Sequence, residues 1–248
     1  MIAISSGKGG VGKSTISANI AVALANMGLK IGLVDTDIYG PNIPGILGSH
    51  DRPIANPETG QINPVEAHGI KFISMGLLLE EGTPIIWRGP MLAKMVHQFI
   101  ANVKWGELDI LIADLPPGTG DVQLTLTQSA PLTSALILTT PSAIALEDVR
   151  RGVEMFRQAE VPIFGLVENM SSFQCDACDH NEYLFGHGQS ESTAKELGIP
   201  FLCGIPIDIK LRECADEGQP AVNNKTITAG SRAIINLAKD VTAHLEKN

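Results

Sequence analysis

Aromatic side chains are scarce, with Phe, Trp and Tyr making up only 4% of the 248 residues. A core with so few rings must be filled by Val, Ile, Leu and Ala, which suits a sheet covered by helices better than a β-sandwich. Charged residues are also sparse at 18%, against 44% hydrophobic residues, a balance that excludes disordered, collagen-like and coiled-coil classes. Basic residues are outnumbered 18 to 27, and the formal charge of −9 disfavours nonspecific attraction to nucleic acid or an anionic membrane. Neither partner is expected, so an anionic ligand must be held by local geometry. Four cysteines are too few for a disulfide framework. No long apolar run is present. The longest uncharged stretch, Val122 to Leu146, spans 25 residues, but 12 of them are Ser, Thr, Gln or Pro. That is too polar for a spanning helix. The opening MIAISS lacks the basic start and apolar core of a secretion signal, and the expected location is cytoplasmic.

What the sequence does contain is alternation. Apolar, β-rich runs occur at 2–5, 30–35, 70–75, 109–114, 134–140, 162–169 and 200–206. Several lack the apolar–polar alternation of a half-exposed strand, as strands buried on both faces do. Helical candidates lie between them, including Lys13 to Met27, Met91 to Val103, Ile144 to Gln158 and Ile227 to Leu245. The expectation is one α/β domain over 1–248, with a mostly parallel sheet and helices on both faces. Two stretches break the pattern. Residues 39–69 carry five prolines and form a long irregular segment, and residues 170–188 form an inserted loop holding two close cysteines.

Residues 7–14 read GKGGVGKS, a G-x-x-x-x-G-K-[ST] phosphate loop. Its glycines (Gly7, Gly9, Gly10, Gly12), with Val11 between them, let successive backbone N–H groups face an anion, and the next helix adds its positive end. Lys13 can neutralise β and γ phosphates, Ser14 can ligate Mg²⁺, and Thr15 continues the cradle. The motif comes after a strand and opens a helix, as the chemistry requires. Carboxylates for the metal and the attacking water should stand at neighbouring strand ends, and Asp35, Asp37 and Asp114 do. A phosphate-bearing nucleotide with Mg²⁺ is therefore the expected ligand, and the family resemblance below makes it ATP.

The second lysine, Lys8, makes the loop K-G-G-V-G-K-[ST], which resembles the deviant Walker A motif of the nitrogenase iron protein, MinD and ParA class. The resemblance implies that Lys8 reaches a partner subunit's phosphates and that Asp37 polarises water. DTDIYGPNIP (35–44), IIWRGPM (85–91), DLPPGTGD (114–121), VENMS (167–171) and the C-x-x-C after it are together similar to the Mrp/ApbC family of iron–sulfur carrier ATPases. That likeness spans about residues 2–220. It implies that Asn169 contacts adenine and that Pro206 helps close the base pocket. Some members carry a further N-terminal domain, whose contribution is expected to be absent or supplied by another protein, since the first strand here starts at residue 2. No role is assigned to Trp87 or Arg88.

Cys175 and Cys178 form C-D-A-C. Two thiolates can clamp a soft metal, but a cluster or a structural zinc normally takes four ligands. A local site completed by His187 is poorly spaced, whereas a two-fold axis beside the loop would bring in a second cysteine pair. A 4Fe–4S cluster bridging a homodimer is what the family implies; zinc in its place stays open. Cys203, in an apolar strand, and Cys214, on a helix, receive no role. The expected function is a slow ATPase that holds this cluster and transfers it to apo-proteins. The rival readings are a MinD- or ParA-like positioning switch, and an ATP-dependent electron-donating reductase.

Overall fold

The computed structural model describes residues 1–245 except Tyr39, residues 79–88, Asp176 and Asp179, with only the backbone of residues 89, 90, 92, 93 and 121. Trp87 and Arg88 thus lie outside the described residues. The first half of the chain contains β1 (Ile2–Ser6), α1 (Lys13–Asn26), β2 (Ile31–Asp35), α2 (Ile43–Ile46), β3 (Ile54–Ala55), β4 (Ile62–Asn63), β5 (Val65–Ala67), β6 (Ile70–Ser74), α3 (Met75–Leu78), α4 (Gly89–Ala101) and β7 (Ile110–Asp114). The second half adds α5 (Asp121–Ser129), β8 (Ser134–Thr139), α6 (Ala143–Gln158), β9 (Ile163–Gln174), β10 (Asn181–Glu182), α7 (Gln189–Leu197), β11 (Phe201–Ile207), α8 (Ile209–Asp216) and α9 (Ala229–Leu245).

The main sheet runs β10-β9-β8-β1-β7-β2-β6-β5, with β11 also pairing β9. Every pairing is parallel except β5 with β6 and β10 with β9. The apolar runs explain this, because β1, β2 and β8 are buried along their whole length, as strands covered on both faces must be.

On one face Ile16, Ile20 and Leu24 of α1 pack with Ile234 and Leu237 of α9 against the sheet. On the other, α6 contributes Val149, Val153 and Phe156, while Val96 and Phe99 of α4 join Leu126 of α5. The apolar face of α9 is thus spent inside the domain. Among the described residues no helix is long and apolar enough to cross a membrane.

The structure departs from expectation at residues 170–188. The strand expected to end at 169 continues to Gln174 and turns back as β10, with Phe173 opposite Glu182 and Gln174 opposite Asn181. The cysteine segment is therefore the tip of an antiparallel hairpin on the sheet edge. Of its strand residues Ser171 to Gln174, all but Phe173 are polar, because they leave the covered part of the sheet, so no apolar run marks them. The segment 39–69 likewise holds α2 and the short strands β3, β4 and β5.

Candidate functional site

β1 ends at Ser6 and α1 begins at Lys13, so the glycine-rich turn lies at the carboxyl edge of the parallel strands, where an open α/β sheet presents its ligand crevice. Two of its glycines are required by their surroundings. A β-carbon on Gly7 would lie 2.3 Å from Asp148 Cβ, because α6 runs directly behind the loop. Gly12 has φ +83, and a β-carbon there would lie 2.4 Å from Asn169 Nδ2. No side chain caps the start of α1, so its first amides remain available to an anion.

Asp114, at the end of β7, is fully buried and organises the floor. Lys13 Nζ is 2.9 Å from its Oδ1, and Ser14 Oγ donates to its Oδ2 at 2.7 Å. Ser17 Oγ sits between Asp114 Oδ1 at 2.7 Å and Lys13 O at 2.9 Å. The β7 terminus is itself pinned by Thr36, whose N–H and hydroxyl both donate to the Asp114 carbonyl. Beyond the Asp114 ion pair, the buried Lys13 ammonium has no hydrogen-bond acceptor among the described residues. Its remaining protons can therefore serve a phosphate.

Asp35 stands beside Asp114 in the β2–β7 register and is fully buried. Burial first, and the neighbouring Asp114 charge second, push its pKa up to about 8, against hydrogen bonds from Ser74 Oγ (2.8 Å) and Asp37 N (3.1 Å) and the attraction of Lys13. Asp37 is largely buried, accepts a hydrogen bond from Gly40 N at 3.2 Å, and borders the cleft.

The cleft measures about 450 Å³. Lys8, Gly9, Gly10, Gly12, Lys13, Ser14, Thr15 and Asp37 line it on the loop side, with Asn42, Gly45 and Ile46 of the α2 region, Met170 of β9, and Ala215 and Asp216 of α8 opposite. Gly7 and Val11 stand behind this surface. Asn169 does so too, and its Nδ2 donates to the Val11 carbonyl at 2.8 Å. Pro206 lines a different cleft of about 560 Å³, shared with Phe173, Gln174 and Asn181 at the root of the hairpin. Ser17, Met170 and Asp148 were not anticipated. Ser17 had a readable signal, since it lies three residues beyond Ser14 on the same helix face.

At the hairpin tip, Cys175 N donates to His180 O at 2.9 Å and Cys178 N to Cys175 O at 3.4 Å. Cys178 is exposed and Cys175 half-buried. The His187 ring packs on Tyr183, 4.1 Å between centroids, and His180 faces Glu182 at 3.3 Å. Among the described residues no group of three or more His, Cys, Asp or Glu side chains converges for a metal. A Cys2His2 site within one chain is therefore not formed. Cys203 lies in β11 with its thiol pushed up to about 11 by burial and then by Asp240, and buried Cys214 accepts from Asn224 Nδ2. Neither is near the hairpin tip in sequence or in hydrogen bonding.

The model of the ParA group described as NUBPL iron-transfer P-loop NTPase matches residues 1–242. The chain belongs to this family. It is 50% identical over 245 residues to the iron-sulfur cluster carrier protein of Synechocystis, covering 97% of this chain and 69% of that one. It is 46% identical over 248 residues to the iron-sulfur cluster transfer protein NUBPL of Dictyostelium discoideum, covering 99% and 76%. Among solved structures, a nucleotide-binding protein of Archaeoglobus fulgidus in complex with ADP superposes with a TM-score of 0.78 at 39% identity, over 88% of this chain and 86% of that one. The α/β architecture with a mostly parallel sheet is thus that of the P-loop NTPases, and this chain is an iron–sulfur carrier-family member of that class.

Proposed function

We propose that the chain binds and slowly hydrolyses ATP with Mg²⁺, and that two copies hold a 4Fe–4S cluster between their Cys175 and Cys178 pairs for delivery to apo-proteins. The observation that carries the nucleotide reading is the grip of one buried carboxylate, Asp114, on both Lys13 and Ser14 at the floor of the cleft. Lysine, hydroxyl and carboxylate in that contact are the set that a metal-bound triphosphate needs.

In this reading Lys13 engages the β and γ phosphates while the loop amides from Gly9 to Thr15 cradle them. Ser14 supplies a hydroxyl to Mg²⁺ and Asp114 orients that hydroxyl. Asp37 holds water in line with the γ phosphorus. The water oxygen bonds to phosphorus as the bond to the β,γ-bridging oxygen breaks, releasing ADP and inorganic phosphate. Lys8 neutralises charge on the partner subunit's nucleotide, and Asn169 serves the base side, whereas Pro206, on the hairpin-root cleft, is given no part in it. The cluster is cargo and keeps its oxidation level through the cycle.

Two thiols per hairpin, Cys178 exposed and Cys175 half-buried, are half of the four thiolates a cluster normally takes, which favours a site shared by two chains. The apolar face of α9 is buried against α1 and β11, which leaves that helix without an amphipathic face for a membrane-positioning switch. Anaerobic purification followed by iron, sulfide and zinc quantification per chain, with mass in solution, tests the reading. Four iron and four sulfide per two chains support it. A full cluster on a monomer, or zinc alone, overturns it.

A further inference from the structure

Met170 has a backbone that its side chain should resist. Its φ is +58, a left-handed value that bulky residues rarely adopt. The other non-glycine residues with positive φ among the described residues, His68 and Glu160, sit in turns, whereas Met170 lies inside β9. The β11 ladder has a local break at the same place. Ile205 pairs Asn169 and Ile207 pairs Phe173, so β9 takes four steps where its neighbour takes two. This is an enlarged bulge centred on Met170 to Ser172, a device that bends a strand and re-aims the residues beyond it.

Glycine would relieve the backbone, yet a methionine stands there. Met170 lines the 450 Å³ cleft, and the residue before it, Asn169, donates to the phosphate-loop carbonyl of Val11. Five residues beyond it is Cys175. Past the bulge, the hairpin is held to itself by two β10 pairs and the Cys175–His180 bond.

We infer that Met170 is a positioning residue that reports occupancy of the cleft to the cysteine hairpin. A nucleotide packed against the thioether favours one backbone state at the bulge over another, and the hairpin beyond is re-aimed accordingly. The inference rests on a nucleotide entering the cleft, as proposed above. It does not require a cluster.

The test uses the full chain, reduced and stripped of metal. Alkylation of Cys178 by iodoacetamide is followed by peptide mass spectrometry with and without ATP and Mg²⁺, and nucleotide affinity is measured in parallel with a fluorescent ATP analogue. In the parent, nucleotide should change the Cys178 rate several-fold while buried Cys214 stays unreactive. At nucleotide concentrations that saturate each variant by the measured affinity, Met170→Gly should lose the change and Met170→Leu should keep it. If Met170→Gly does not fold, Met170→Ala removes the same side chain and should lose the response alike. Measured nucleotide binding with an unchanged Cys178 rate in the parent, or a full response in Met170→Gly, overturns the inference and leaves the proposed function standing. Absence of nucleotide binding by the parent overturns both.

Discussion

The side chain of Asn169 donates to the backbone carbonyl of Val11 across 158 positions of sequence, at 2.8 Å and out of contact with bulk water. The residue that the family resemblance assigns to adenine is thus also a strut of the phosphate loop, with its amide oxygen left as the group that can address a base. Asn169→Ala leaves a buried carbonyl unpaired, at about 1–3 kcal/mol. It should lower the urea midpoint and weaken ATP binding. A base contact would additionally erode discrimination of ATP from GTP, so titrating both nucleotides separates the two roles.

Lys13→Ala removes the ammonium that a phosphate would share with Asp114. Loss of a charge-assisted contact of about 1.5–3 kcal/mol corresponds to roughly ten- to a hundredfold weaker ATP binding, measurable by calorimetry. Lys8→Ala should spare affinity and depress turnover, because its proposed target is the partner subunit's nucleotide. Equal affinity and turnover in Lys13→Ala would remove the loop from the proposed chemistry.

Asp37→Ala should keep ATP affinity and slow phosphate release by about a hundredfold, the usual scale for losing a group that orients or deprotonates a nucleophile. Steady-state phosphate production beside equilibrium binding tests this. Unchanged turnover would take Asp37 off the catalytic path.

Asp35 gives a pH prediction. Its folded pKa of about 8 stands above the ordinary 3.8, so between those values the folded chain holds a proton that the unfolded chain releases. Stability from this group is complete below about 4 and is lost as pH rises toward 8. Asp35→Asn, which keeps the shape of the protonated acid, should be more stable than the parent at pH 8, with the difference vanishing near pH 4. Urea titrations at both pH values check the sign, and a parent favoured at pH 8 would refute it.

Cys175→Ala and Cys178→Ala should each lose iron and sulfide, whereas Cys203→Ala and Cys214→Ala should retain them. Cys214→Ala should also cost about 1 kcal/mol, through a small cavity and the lost Asn224 contact. Metal content with a thermal melt distinguishes the two classes.

Much of this architecture was legible because local and global signals agree. The apolar runs became β1, β2, β6, β7, β8 and β11 within about a residue, and Lys13 to Met27 became α1. The phosphate loop and its Asp114 partner came from motif and strand-end logic. What stayed hidden depends on long-range contact. Nothing in the sequence near Gly7 announces that Asp148 of α6 lies behind it, and Pro206 gives no sign that it opens on the hairpin-root cleft instead of the phosphate-loop cleft. The hairpin was unreadable because its short, mostly polar strand ends pair with each other at the sheet edge, where alternation with a covered face no longer applies.

The length of β9 has a mechanical consequence. The bulge absorbs two of the steps between Asn169 and Phe173, so from Met170 to Cys175 the chain advances about three steps of about 3.3 Å, an arm of ~10 Å. A rotation of ~15° at its inner end would sweep Cys175 through ~2.6 Å, the scale of the ~2.3 Å metal–thiolate bond. In the proposed coupling, the outer part of this twelve-residue strand is a lever with its short end beside the phosphate crevice and its long end at the cysteine pair, so that a small turn at the fulcrum is carried to the scale on which ligands are gained or lost.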